Sequence, residues 1–253
     1  MTFTHAIARQ PAANAGEGLT SAGLGAPDPE RMLAQHRDYV RILESLGLQI
    51  TVLDGDENFP DGCFVEDSAV VTREVAIITR SGAPSRRGEE AAIEPLLAAH
   101  RPIARIAAPG TVDGGDVLMM GERVLIGLSA RTNEEGARQL TDILEAGGMR
   151  CITLAAGGGL HLKSSVNGLG DDRLLVTREF SECAELSGFE RIRIPADESY
   201  AGNSLWVNGQ VIVPAGFPAT RELIEKIGIE TIETQVSEFR KMDGGLTCLS
   251  IRL

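Results

Sequence analysis

The chain has 253 residues, of which 43% are apolar and 24% charged, and a formal net charge of −12. That composition is ordinary for a soluble globular protein, and the acidity argues against nucleic acid or an anionic membrane as a partner. No apolar run reaches the ~18 residues of a membrane span, and "MTFTHAIARQPAANAGEG" lacks a signal-peptide core. The four cysteines (Cys63, Cys151, Cys183, Cys248) have no metal spacing, so reduced thiols in a cytoplasmic protein are expected.

In chain order, "THAIARQ" reads as a strand. "DPERMLAQHRDYVRILESLG" follows as a helix, with Asp28 as N-cap, Pro29 in the first turn and Gly47 past the end. "LQITVL" is the next strand. Then a unit repeats: a hairpin, a helix and a further strand. Its hairpins span residues 67–80, 116–131, 163–178 and 204–216, the last around Asn208-Gly209, a type I′ turn dipeptide. The helices are "PSRRGEEAAIEPLLAA", which Pro95 should kink or split, "NEEGARQLTDILEAGG", the shorter "REFSECAELSG", and "PATRELIEKIG". The closing strands are 103–107, 150–154, 191–194 and 230–234.

Four copies account for residues 67 to about 234. The N-terminal strand, helix and "LQITVL" form a fifth when paired with the C-terminal "LTCLSIRL". One such unit cannot bury its apolar face, so neighbours must stack. The expectation is a single α/β domain over residues 1–253, a five-bladed propeller closed by pairing the two termini.

In such a ring the residues just before each hairpin meet at the centre. Those positions hold Asp61, Glu66 and Asp67 in "FPDGCFVED", Asp113 and Asp116 in "VDGGD", and His161 in "GGGLHLKSS". They also hold Asn203 in "YAGNS", and Asp243 and Cys248 in "KMDGGLTC". Taken locally, Cys248 reads first as a small hydrophobe of a last buried strand, and against that as a nucleophile beside a Gly pair. His161 is open between a core histidine and an acid/base. Cys63, alternating with Val65 on an expected strand, is a competing nucleophile, though its acidic neighbours would raise its pKa. Burying Glu66 and Asp67 calls for a cation, and a planar one with several N–H donors suits paired carboxylates. Arg86 and Arg131 are either solvated surface residues or a carboxylate site.

"FPDGCFVEDSAVVT", "TRSGAPSRRGE", "VDGGDVLMMGERVLIGLSARTNEEG", "HLKSS" and "MDGGLTCLS" resemble the dimethylarginine dimethylaminohydrolases, of the guanidino-group modifying superfamily with its five-bladed α/β propeller. The resemblance runs in order from about Leu19 to the C-terminus. It implies a cysteine hydrolase that converts Nω-methylated arginines to citrulline and an amine through a covalent thiouronium, with no cofactor and no metal. By motif, Cys248 is the nucleophile, His161 the general acid/base and Asp113 its orienting acid. Asp67 holds the guanidinium with Glu66 beside it, Arg86 and Arg131 take the α-carboxylate, and Asp61 takes the α-amine. Leu19 belongs to a mobile lid, and Met242 and Asp243 touch the substrate. The partner implied is a small guanidino amino acid, and a homodimer is left open. Two readings compete: a hydrolase or deiminase of arginine or another small guanidino or ureido compound, and a non-catalytic propeller that only binds.

Overall fold

The computed structural model describes residues 2–253. Fifteen strands run along them. They are β1 (His5–Arg9) and β2 (Gln49–Leu53); β3 (Ala69–Val71), β4 (Ala76–Ile78) and β5 (Ile103–Arg105); β6 (Val117–Met120), β7 (Arg123–Leu128) and β8 (Arg150–Ala155). The others are β9 (Val166–Gly168), β10 (Arg173–Val176) and β11 (Glu190–Arg193); β12 (Leu205–Val207), β13 (Gln210–Pro214) and β14 (Glu230–Thr234); and β15 (Ile251–Arg252). They form five three-stranded sheets, each an antiparallel pair followed by a parallel third strand. The orders are β3-β4-β5, β6-β7-β8, β9-β10-β11, β12-β13-β14 and β15-β1-β2. The last joins the termini, with Ile7 opposite Ile251, while β1 runs parallel to β2.

A parallel third strand needs a crossover, and four of the five crossovers contain a helix. Helix α1 (Pro29–Ser45) starts where the Arg31 N–H donates to Asp28 Oδ1 at 2.9 Å. It buries Met32, Gln35, His36, Tyr39 and Leu43, one helical stripe. The segment "PSRRGEEAAIEPLLAA" is broken into two 3₁₀ turns and the short α2 (Glu94–Ala98). Pro95 is one cause, as expected, and Gly88 at φ +111° is another. Helix α3 (Glu134–Ala146) is capped by Asn133, whose side chain accepts from the Gly136 N–H, and buries Ala137, Leu140 and Leu144. Helix α4 (Pro218–Lys226) opens on its proline, and the short α5 (Ser237–Arg240) follows β14.

The expected helix "REFSECAELSG" is not one. It forms two 3₁₀ turns, Arg178–Phe180 and Ala184–Leu186, and Ser181 Oγ donates to the Arg178 carbonyl at 2.8 Å. Such local side-chain bonds compete with the helix, and the segment is too short to outweigh them. The Asn208-Gly209 turn is as expected, with φ of +49° and +96°.

Apolar clusters straddle consecutive sheets. Val70 and Ile77 pack with Val117 and Val124, Leu118 and Leu125 with Leu174 and Val176, and Leu175 with Val211 and Val213. Leu205 and Val207 pack with Ala6 and α1, and Ile7 and Ile251 with Ala69 and Ile78.

A second regularity positions the site. A 3₁₀ turn precedes the first strand of every sheet: Val65–Ser68, Gly114–Asp116, Leu162–Ser164, Ala196–Gly202 and Thr247–Leu249. Two strand expectations are therefore corrected. Cys248 lies in the turn before β15, not in the strand, and the Cys63–Val65 stretch is turn rather than strand. A turn ahead of each first strand lets polar side chains converge, whereas strand residues would alternate between two faces.

Candidate functional site

Nine of the eleven predicted residues line one narrow cavity: Leu19, Asp61, Asp67, Arg86, Arg131, His161, Met242, Asp243 and Cys248. Phe64, Leu160 and Gly244 complete it. It is a tight cavity, with a free volume of about 20 Å³.

His161 opens its turn: its backbone carbonyl accepts the Ser164 N–H at 3.0 Å, and Ser164 Oγ accepts the His161 N–H at 3.4 Å. Its Nε2 lies 3.2 Å from Asp113 Oδ2, and the other Asp113 oxygen accepts the Gly82 N–H at 3.0 Å. Asp113 thus sits behind His161, fully buried, and does not itself line the cavity. Burial alone would lower the His161 pKa; Asp67, Asp113 and Asp116 outweigh it and raise the imidazole to about 9.

Asp116 fixes the histidine loop. Its Oδ1 accepts the Leu162 N–H at 2.9 Å, and its Oδ2 accepts Ser129 Oγ and Thr132 Oγ1 at 2.6 and 2.7 Å.

Asp67 is buried, with both oxygens engaged by the protein. The Gly115 N–H donates to Oδ1 at 2.8 Å and Arg86 Nη1 to Oδ2 at 2.6 Å. Burial raises this carboxyl, but His161, Arg86 and the Gly115 N–H prevail and bring it to about 2. One oxygen each from Asp67 and Asp113 and one nitrogen of His161 lie within 4.8 Å of one another, a spacing that could admit a metal ion.

Cys248 is half-buried, with Thr247 Oγ1 4.0 Å from its sulfur. Asn203 holds that turn, its Oδ1 accepting the Thr247 N–H at 2.9 Å. Gly245 permits the approach, because a Cβ there would fall 2.4 Å from the Asn203 side chain. Burial first, then Glu66 and Asp67, push the thiol up to about 12. Cys63 is 1% exposed, does not line the cavity and is pushed up further, by burial above all.

At the mouth, Asp61 accepts the Leu19 N–H through both oxygens at 3.1 Å, and Asp243 Oδ2 accepts the Ser21 N–H and Oγ. Leu19 is 43% exposed. Arg131 is half-buried, and among the described residues its guanidinium has no hydrogen-bond acceptor.

The eleventh residue, Glu66, lines a second cavity of about 180 Å³ rather than the Cys248 cavity. Its Oε1 accepts Lys163 Nζ at 2.7 Å and Arg252 Nη2 at 3.0 Å, while Oε2 has no partner.

This arrangement meets known proteins at full length. The family model for N,N dimethylarginine dimethylhydrolase, eukaryotic, matches residues 28–251. The N(G),N(G)-dimethylarginine dimethylaminohydrolase of Pseudomonas aeruginosa is 48% identical over 252 residues, covering 99% of each chain. The chain belongs to the dimethylarginine dimethylaminohydrolase family. The family's relative from Streptomyces coelicolor is 36% identical over 255 residues, covering 100% of this chain and 98% of its own. A solved Pseudomonas aeruginosa structure of the family, a cysteine-to-serine mutant complexed with citrulline, superposes with a TM-score of 0.98. It is 47% identical and covers all of both chains.

Sequence reasoning did not single out Glu89, Lys163, Arg252 or Leu160. Only the three-residue spacing from Arg86 to Glu89 was a local signal; Lys163 and Arg252 reach Glu66 from 97 and 186 positions away.

Proposed function

We propose that the chain hydrolyses Nω-methylated arginines to citrulline and methylamine or dimethylamine. One observation carries the reading: Cys248, His161 and Asp67 line one cavity, with Asp113 behind His161 at 3.2 Å. Family membership supports it, as does the citrulline bound by the Pseudomonas aeruginosa relative.

Asp67 receives the substrate guanidinium, Asp61 the α-amine, and Arg131 with Arg86 the α-carboxylate. Leu19, Met242 and Asp243 close over the substrate. Glu66 acts from behind, through its charge on Cys248. In the empty site the thiol is protonated at neutral pH and His161 is charged. A bound cation offsets Glu66 and Asp67 and favours the thiolate.

The thiolate forms a bond to the guanidinium carbon, giving a tetrahedral adduct. His161 gives its proton to the departing nitrogen as the C–N bond breaks, releasing the amine and leaving a thiouronium on Cys248. Neutral His161 then takes a proton from water, whose oxygen bonds to the same carbon. As the C–S bond breaks and returns the thiolate, the hydroxyl proton of the adduct passes to solvent, where the released amine takes it up, and the ureido group of citrulline is left.

The same reading makes the chain one domain with five units closed into a ring, supported by the pairing of the termini and by apolar clusters that join each sheet to the next. No helix is long and apolar enough to cross a membrane, and a cytoplasmic location is part of the proposal.

Incubation with asymmetric dimethylarginine, monomethylarginine and arginine, with citrulline and amine quantified, tests the reading. Citrulline with dimethylamine or methylamine is expected. Ammonia and citrulline from arginine alone would move the chain to a deiminase, and no citrulline at all would overturn a hydrolase.

A further inference from the structure

The carboxylate proposed to receive the substrate guanidinium already holds one of the chain's own. Arg86 Nη1 donates to Asp67 Oδ2 at 2.6 Å, and the remaining arginine donors are mostly spent. Nε donates to Glu89 Oε1 at 3.0 Å, and Nη2 to Glu89 Oε2 at 2.7 Å and the Phe64 carbonyl at 3.1 Å. Four of the five N–H groups are engaged, leaving one on Nη1. Asp67, Arg86 and Glu89 are each at most 6% exposed, so solvent screens little of their charge.

Local structure makes this deliberate. Gly88 turns the chain at φ +111°, where a Cβ would lie 2.8 Å from the Phe59 ring. The turn that follows, Glu89–Ala92, sets Glu89 against the outer edge of the Arg86 fork.

The charge count follows from chemistry. Asp67 and Arg86 alone would be neutral, and a second guanidinium beside them would meet a like charge in a buried site. Glu89 brings the cluster to −1, which leaves it short of one cation. His161 and Asp113 face it as an ion pair, and Asp61 is turned to the Leu19 backbone. Building on the hydrolase reading above, we propose that Glu89 is a specificity-determining positioning residue. By balancing Arg86, it makes the site prefer a cationic guanidino group, the substrate, over a neutral ureido group, the product. Glu89 touches no ligand and acts through Arg86.

The test compares two ligands on one protein. In the full-length Cys248→Ser chain, Nω-monomethylarginine and citrulline are titrated by calorimetry, with melting curves in parallel. Adding Glu89→Gln is expected to weaken monomethylarginine about tenfold or more relative to citrulline. Glu89→Asp should keep most of the preference. Arg86→Gln alone leaves −2 and should raise it, while Arg86→Gln with Glu89→Gln returns the cluster to −1 and should restore it. Arg86 also meets the α-carboxylate that both ligands share, so its variants are read only as the ratio of the two affinities; a merely structural role would weaken both ligands alike and leave that ratio unchanged. Equal losses in Glu89→Gln, or no recovery in the double variant, would overturn the proposal. Should Glu89→Gln not fold, Arg86→Gln decides, since an unchanged preference there refutes the charge count. If the chain with Glu89 intact binds neither ligand, the hydrolase reading fails and this proposal falls with it.

Discussion

Arg252 Nη2 donates to Glu66 Oε1 at 3.0 Å, joining the penultimate residue to the turn beside Asp67. Lys163 shares that oxygen, and Glu66 is 4% exposed. Removing one cation leaves a buried carboxylate undercompensated, so Arg252→Met is expected to cost about 1–3 kcal/mol. A lowered urea midpoint with an unchanged m-value would show it. Truncation after Leu249 removes more: β15, the Arg252 pair and the 2.7 Å bond between Tyr39 and Ser250. The truncated chain is expected to lose cooperative unfolding and turnover together. A folded, active truncation would contradict the role of the tail.

Cys248 and Cys63 separate cleanly. Cys248 faces the cavity and Cys63 does not. Cys248→Ala should lower turnover by at least about a thousandfold. Cys63→Ala should keep turnover and cost only about 1 kcal/mol, the loss of one small buried group. Citrulline formation by both variants, measured side by side, assigns the nucleophile.

The pH dependence has a definite sign. His161 is raised from 6.5 to about 9, so its stabilising contribution is complete below 6.5 and is lost as pH rises through about 9. Asp67 is lowered from 3.8 to about 2, so its contribution is complete above 3.8 and is lost as pH falls through about 2. The stability gap between the native chain and His161→Gln should therefore narrow from pH 6.5 to 9, read from urea midpoints. In the same range kcat/KM should climb and then level near pH 9, because free Cys248, at about 12, must ionise while His161 keeps its proton. A flat profile from pH 6 to 9 would contradict these assignments.

Gly115 is a steric requirement of the site. A Cβ there would lie 2.7 Å from His161 Nδ1 and 3.0 Å from Asp67 Oδ1. Gly115→Ala should displace the imidazole, lowering kcat by about a hundredfold or more while the chain stays folded. Near-native kcat in that variant would show that the His161 position tolerates movement.

Much of this protein is legible in its sequence because much of it is local. The Asp28 cap, the α1 and α3 stripes, the Asn208-Gly209 turn and the recurring hairpins depend on residues within a turn or two of one another. Their recurrence placed Cys248, His161 and Asp113 at equivalent positions, and the motif resemblance supplied roles for them. The helix expected in "REFSECAELSG" failed where the Ser181 side-chain bond and the shortness of the segment outweighed an apolar pattern.

What the sequence by itself determined is the repeating unit and the candidate residues, since periodicity and turn chemistry act over a few positions. The tertiary structure alone decided which charges meet. Glu66 faces Lys163 and Arg252 across 97 and 186 positions, and Arg86 lies on Asp67 with Glu89 as its counter-charge. Burial and charge pairing depend on distance in space, and composition carries no information about that distance.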